Sequence, residues 1–313
     1  MYDILIVGAG PAGLTAAIYA RRASKSVLVL EALTYGGQIV NTLEIENYPA
    51  EPHISGFDFA TKLYNQAKEL GAEVRFERVT EIRKGSSDAD ASHFGVITAK
   101  SEYEAKTVII ATGSANRKLG ISGEEALIGR GISYCATCDG AFYRGKTVAV
   151  VGGGNTALED ALYLSDVAGK VYLIHRRDEF RGEEIAAAGL KEKANVEFIL
   201  NSVVTELKED GGKLVSVTVA DAKSIAAGEP TGLREIPVDG LFVAVGRIPS
   251  NQSFAGLIET DEAGYIKAGE NCKTNVPGIF VAGDNRTKEV RQLVTAASDG
   301  AIAATAAINF LNR

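Results

Sequence analysis

Three observations predict an α/β chain of two Rossmann-like dinucleotide-binding domains. A strand–turn–helix–strand frame with a glycine-rich turn occurs twice, and its copies stand 144 residues apart, from Gly8 to Gly152. The chain is 313 residues long, a length that suits two domains better than one or three. Hydrophobic residues make up 46% of it and charged residues 23%, enough to bury a sizeable core in an ordinary globular protein.

The first frame opens with Ile4, Leu5, Ile6 and Val7, an apolar run of strand length, and passes at once into Gly8-Ala9-Gly10-Pro11-Ala12-Gly13. A helix-compatible stretch covers residues 14–22, and a second apolar strand over residues 27–30 ends in Glu31. The second frame runs from Val148-Ala149-Val150-Val151 into Gly152-Gly153-Gly154-Asn155-Thr156-Ala157. A helix over residues 158–165 and a strand over residues 171–174 follow, ending in His175, so the copies align without a gap.

In such a frame the first glycine permits the tight turn and the second lets backbone approach a pyrophosphate. The third position lets helix pack on strand. The phosphates then lie at a helix N-terminus, where free N–H groups and the helix dipole favour anions. Gly8, Gly10, Pro11, Ala12 and Gly13 are therefore expected to bind one dinucleotide, and Gly152, Gly154, Asn155 and Thr156 the other. A single G-x-G-x-x-G is a weak signal, because glycine-rich turns are common. Two in matching frames are a strong one.

The copies differ in the residue that closes the second strand. Glu31 can accept hydrogen bonds from a ribose diol and would repel a 2′-phosphate. The second copy closes on His175-Arg176-Arg177, with Arg181 one turn on, and guanidinium groups suit a doubly charged phosphate. An arginine-rich surface without a ligand is the alternative, and four cationic or potentially cationic groups at this register, three arginines and His175, argue against it. The second site is thus expected to take NADPH, and the first NAD or FAD.

Cys135-Ala136-Thr137-Cys138-Asp139 lies just before the second frame. Zinc needs four ligands, and the others on offer are Cys272 and the scattered His53, His93 and His175. A redox pair fits better: two intervening residues let the thiols close a disulfide and let one be activated as a thiolate. Asp139 can carry a proton as the disulfide opens, given an environment that raises its pKa. Cys272 reads as a small buried hydrophobe. A hydride donor has no obvious direct route to a disulfide, whereas a flavin accepts hydride and passes electrons on. This favours FAD at the first site.

The net charge of −7, with no Lys/Arg block longer than a pair, argues against a nucleic-acid surface. No apolar run approaches the roughly 18 residues of a membrane span. Met1 leads almost directly into the first strand rather than a secretory signal, so the chain is expected in the cytoplasm, where three cysteines do not form a disulfide framework.

Together these residues resemble the low-molecular-weight thioredoxin reductases over essentially the whole chain. Besides the two glycine motifs, the Cys-x-x-Cys segment and His175 to Arg181, the likeness is carried by Gly36-Gly37-Gln38, Glu46-Asn47-Tyr48-Pro49, Ala111-Thr112-Gly113 and Gly283-Asp284 with Arg291-Gln292. The resemblance implies two three-layer Rossmann-like domains. The FAD domain would comprise residues 1–114 and 247–313, and the inserted NADPH domain, residues 115–246, would hold the cysteines. It implies flavin contacts at Gly36, Gly37, Gln38, Thr42, Asn47, Val79, Ala111, Thr112, Gly113, Asp284, Arg291, Gln292 and the Leu293 backbone. The helix starting near Arg291 would point N–H groups at the pyrimidine end of the flavin.

The resemblance also implies that Cys138 is the thiolate against the flavin, that Cys135 attacks the partner disulfide, and that Asp139 donates the proton. It further implies that the partner is thioredoxin and the assembly a homodimer, with a peroxiredoxin-type or other small dithiol partner as the alternative. Relatives fed by ferredoxin lack an intact nucleotide motif, which this chain has. Ala141-Phe142 stands where some members carry two aromatics that grip thioredoxin. Nicotinamide and disulfide share one flavin face in the family, and both need van der Waals contact there. The inserted domain is therefore expected to rotate about Gly113-Ser114 and Gly246-Arg247. Residues 221–235 read as a surface loop.

Overall fold

The structure, a computed structural model, describes residues 1–42, 44–85 and 93–313. The chain begins with β1 (Tyr2–Val7), α1 (Pro11–Arg22), β2 (Val27–Glu31), α2 (Gly56–Glu69), β3 (Glu73–Phe76), β4 (Val79–Lys84), β5 (Phe94–Thr98), β6 (Glu102–Ile110) and β7 (Ser114–Asn116). It continues through β8 (Ile132–Ser133), α3 (Ala136–Asp139), β9 (Thr147–Val151), α4 (Asn155–Val167), β10 (Lys170–Ile174), α5 (Glu184–Lys191) and β11 (Val196–Ile199). A meander of β12 (Ser202–Asp210), β13 (Lys213–Asp221), α6 (Ala222–Ala226) and β14 (Arg234–Pro237) precedes β15 (Gly240–Val243). The chain ends through β16 (Arg247–Pro249), β17 (Ile279–Val281) and α7 (Leu293–Leu311). It divides into two compact units, Met1–Ala115 with Ile248–Arg313, and Asn116–Arg247.

In the first unit one sheet has the order β3-β2-β1-β6-β5-β4, and β17 also pairs with β6. Its β3, β2, β1 and β6 run parallel, which buries both faces and explains the unbroken apolar run of β1. Period-two geometry sends Ile4 and Ile6 into the core beneath α1 and α7, and Leu5 and Val7 into the core on the other face. The second unit repeats the logic with a parallel sheet in the order β11-β10-β9-β15-β8. There Val148 and Val150 face one core, and Ala149 and Val151 the other. In each sheet the chain reverses its direction of growth beside β1 or β9. Ligands of open α/β sheets bind at the carboxyl ends of strands at such switch points, and both glycine turns lie there.

Three details differ from the sequence-based expectations. The helices after the glycine turns begin at Pro11 and Asn155, so the last motif residues are already helical. Residues 221–235 are not all loop: α6 and the first residues of β14 fall within them, α6 being capped by the Asp221 side chain on the Ser224 N–H. Leu293–Leu311 is long and apolar enough in composition to cross a membrane. Its Asp299 carboxylate, however, is 3% exposed and takes hydrogen bonds from Arg286, Lys288 and the Gly283 N–H. Gly300 of the same helix lies against α1, where a Cβ would come 2.2 Å from the Ala12 carbonyl oxygen.

Candidate active site: two glycine turns and a redox pair

The first turn is built by backbone crowding. Gly8 has φ +109°, and a Cβ there would lie 2.4 Å from the Ala111 carbonyl oxygen. A Cβ on Gly13 would lie 1.9 Å from the Gly8 carbonyl oxygen, so that helix position admits no side chain. Gly10 is different: its backbone is extended, which any residue adopts, and a Cβ would meet only the Gly37 Cα at 4.0 Å. The protein itself does not demand glycine at Gly10, the motif position expected to let a phosphate approach the backbone. Nor does Gly10 cap α1 with a side chain, so the N–H groups of its first turn are available to an anion.

Several expected flavin residues gather around this turn. The Gly36 N–H donates to the Ala9 carbonyl at 2.8 Å, and the Ala111 N–H to the Val7 carbonyl at 2.8 Å. Gly283 also approaches, since a Cβ on it would lie 3.0 Å from Ala12 Cβ. Glu31 holds the turn directly, its carboxylate accepting the Ala9 N–H at 2.8 Å and the Leu33 N–H at 2.9 Å. Asn47 donates to the Gln292 amide oxygen at 3.2 Å, and Gln292 forms a capping box with Thr295 at the start of α7. That box occupies an N–H of the first turn of α7 but leaves the Leu293 N–H outside it. Gln38 is exposed, and Thr42 closes the short helical turn Gly37–Asn41. The Val79 side chain is buried in the core, which leaves its backbone for any ligand.

The first unit has polar atoms that fit a bound group. Ser114 Oγ, Asn285 Oδ1 and Arg291 Nε are buried and have no hydrogen-bond partner among the described residues. Arg291 stacks over Tyr265 at 4.3 Å. Between them the neighbouring Asn285 amide donates to Thr112 Oγ1 at 3.1 Å and to the Ile110 carbonyl at 3.3 Å. No sequence motif marked Asn285, Asn251 or the Asp299 cluster, whose partners are distant in the chain.

The second turn repeats the cradle with different supports. A Cβ on Gly152 would lie 2.4 Å from the Ala244 carbonyl oxygen, whereas one on Gly154 would meet nothing within 4 Å. The loop after β10 folds back over the turn: the Arg181 N–H donates to the Gly153 carbonyl at 2.7 Å, and the Glu183 N–H to Asn155 Oδ1 at 2.8 Å. Arg176, Arg177, Arg181 and Thr156 are exposed around it.

His175 corrects one expectation. It is 6% exposed, its Nε2 pairs with the Glu179 carbonyl at 3.1 Å, and its ring stacks on Phe180. Burial, with help from the neighbouring arginines, lowers its pKa despite the Glu179 carbonyl. It is a neutral buried support for the turn, unlike the three exposed arginines beside it.

Cys135 and Cys138 form a disulfide across the start of α3. The Asp139 N–H donates to the Cys135 carbonyl at 3.1 Å, closing the helical turn that brings the sulfurs together. Burial raises the Asp139 pKa, and the hydrogen bond from Ser133 Oγ to its carboxylate, at 2.6 Å, only partly opposes this. Its environment thus meets the condition set for a proton carrier. Ser133, which also accepts the Cys135 N–H at 3.1 Å, is a support that no motif signalled. Cys272 is a free, buried thiol pushed up to about 11, chiefly by burial, which suits an inert core residue. Phe142, beyond the pair, is 41% exposed.

The chain matches the pyridine nucleotide-disulphide oxidoreductases over residues 2–301. It is 45% identical over 308 residues to the thioredoxin reductase of Listeria innocua, covering 97% of this chain and 92% of that one. To the thioredoxin reductase of Bacillus subtilis it is 43% identical over 305 residues, covering 97% and 93%. The crystal structure of thioredoxin reductase from Streptococcus pyogenes is similar with a TM-score of 0.91 at 42% identity, over 100% of this chain and 98% of that one.

Proposed function

This chain belongs to the pyridine nucleotide-disulphide oxidoreductases, among the thioredoxin reductases, and on that premise we propose how its residues divide the reaction. It is an NADPH-dependent flavoprotein that carries electrons from NADPH through FAD and a redox disulfide to oxidised thioredoxin. The observation that carries this reading is the Cys135–Cys138 disulfide with the buried Asp139 beside it, in the same unit as an arginine-rimmed glycine turn.

The first turn, with Glu31, Asp284, Arg291 and Gln292, holds the FAD, and the second, with Arg176, Arg177 and Arg181, holds the NADPH. When bound, the flavin takes two electrons from the nicotinamide and passes them to the disulfide. Opening the sulfur–sulfur bond with two electrons and one proton leaves a thiol and a thiolate, and Asp139 is the group that holds and gives that proton. Cys138 is the sulfur on the flavin side. Cys135 attacks the disulfide of thioredoxin, forming a mixed disulfide that Cys138 resolves. The same reading has the inserted unit rotate about its two connections between turnover steps, the enzyme working as a homodimer in the cytoplasm.

The test is spectroscopic. The purified protein should carry about one flavin per chain, bleached by NADPH. Cys135→Ser and Cys138→Ser should keep that bleaching and abolish thioredoxin reduction, because the thiols act after the hydride step. A cysteine variant whose flavin resists NADPH would put the thiols upstream and defeat the electron order.

A further inference from the structure

One hydroxyl ties the proton carrier to the backbone of the redox pair. Ser133 closes β8, the edge strand of the second sheet, where it stands opposite Phe242 of β15. It is 4% exposed, so its hydroxyl has to find partners within the protein. Three are in reach. Ser133 Oγ accepts the Cys135 N–H at 3.1 Å, and it lies 2.6 Å from the Asp139 carboxylate and 3.3 Å from the Cys135 carbonyl.

A hydroxyl has one hydrogen to give, and the distances decide where it goes. The Cys135 carbonyl already accepts the Asp139 N–H at 3.1 Å and the Cys138 N–H at 3.3 Å. The contact with Asp139 Oδ2 has the length of a hydrogen bond from a hydroxyl to an anion, the stronger kind. Donation to an ionised Asp139 therefore wins. Once Asp139 holds a proton, the hydroxyl can turn to the Cys135 carbonyl, so neither charge state leaves it without an acceptor.

Other ionisable groups surround the pair. Before it, the Tyr134 phenol donates to Glu124 at 2.7 Å. After it, the Tyr143 phenol is pushed up to about 12 by burial and then by the charges of Asp139 and Asp239, and Lys146 stands over its ring. On α4, Tyr163 packs at Gly140, and Asp160 responds to Glu159 and Arg247. Against the burial that raises the Asp139 carboxyl, the opposing group is Ser133.

We propose that Ser133 is a positioning residue for the proton step: its hydroxyl holds the Asp139 carboxylate beside the redox pair and stabilises the charged form left when the proton has gone. The inference rests on Asp139 being the proton carrier of the reaction proposed above. In that reaction two electrons from NADPH, by way of the flavin, break the sulfur–sulfur bond. The proton passes from the Asp139 carboxyl to one sulfur, and the other sulfur remains a thiolate. Asp139 is then charged in partly buried surroundings, where a hydrogen bond to it counts for more than in water.

The test reads Asp139 directly in the oxidised holoenzyme, as the infrared carboxyl band that disappears in Asp139→Asn, followed against pH. Ser133→Ala takes a donor from the charged form, so the midpoint should move upward by about one pH unit. Activity that needs a proton on Asp139 falls as pH rises through that midpoint. The inflection in kcat/KM for thioredoxin should therefore move up by the same amount. Ser133→Thr keeps the hydroxyl and should restore both to the wild-type position. A midpoint unmoved or lowered in Ser133→Ala overturns the proposal, and so does a loss confined to Tm or equal at every pH. A wild-type kcat/KM without an inflection at the Asp139 midpoint overturns the proton assignment itself, and this inference with it. Should Ser133→Ala not fold, Ser133→Val is set against Ser133→Thr, which differs from it by the hydroxyl. A midpoint raised in Ser133→Val alone supports the role, and equal midpoints overturn it.

Discussion

At equivalent places in the two glycine turns the chain makes opposite choices. Ala9 carries a side chain, and its N–H goes to the Glu31 carboxylate at 2.8 Å. Its counterpart Gly153 carries none, because the buried His175 ring lies where a Cβ would be, 2.1 Å away. Three residues into the helix side of the turn the demand reverses. Gly13 faces the Gly8 carbonyl oxygen at 1.9 Å from its would-be Cβ, while its counterpart is Ala157, whose Cβ packs at Gly152. The motif is thus not one consensus used twice. The residue that ends the second strand (Glu31) or directly follows it (His175) packs against the turn and decides which position must be bare. One turn closes on a carboxylate, and the other on a neutral imidazole with arginines beyond it.

The largest effect should come from exchanging the bare positions. Gly13→Ala forces a side chain onto a backbone carbonyl and should cost about 3 kcal/mol or more, with loss of FAD on purification. Ala157→Gly should cost only about 1 kcal/mol and keep the flavin. Flavin absorbance per chain and Tm measure both, and a full flavin complement in Gly13→Ala would break the contrast.

Next comes the charge outside the second turn. Each charge-assisted phosphate contact is worth about 1.5–3 kcal/mol, so neutral residues at Arg176 and Arg177 should lower kcat/KM for NADPH about tenfold or more. Activity with NADH should hardly change. Equal losses for both nucleotides would remove the 2′-phosphate from the argument.

A smaller effect sharpens the role of His175. Gly153→Ala should cost about 1–3 kcal/mol in the wild-type background and much less when combined with His175→Ala. Ala9→Gly should cost less than about 1 kcal/mol. Additive losses at Gly153 and His175 in a double-mutant cycle would mean the ring does not set the bare position.

The smallest expected effect separates the units by pH. His175 has a lowered folded pKa, so its contribution is present above its ordinary value of 6.5 and is lost as pH falls through the folded value. Asp299 in the first unit is raised by burial but lowered further by Arg286 and Lys288, leaving it below its ordinary 3.8. Its contribution is present above that value and lost only as pH falls through the lower folded one. Calorimetry across this range should show the second unit losing Tm first, and His175→Phe should remove the loss that begins near 6.5.

The sequence by itself determined the two frames, the register of Glu31 against His175 and the place of the redox pair. These are encoded locally: a parallel strand buried on both faces is a continuous apolar run, and a phosphate cradle needs its glycines at fixed spacing within one βαβ unit. What only the tertiary structure decided is the chemical state and support of those groups. His175 reads as a possible cation until Phe180 and Gly153 close around it. The Asp139 carboxyl has its pKa raised by burial, with Ser133 holding it. The composition of α7 suits a membrane until Asp299 is seen paired with Arg286 and Lys288. In each case the deciding quantity is desolvation or a hydrogen bond from a residue the local pattern does not specify. Such quantities depend on which surfaces the fold brings together, and a string of residues carries them only once it is folded.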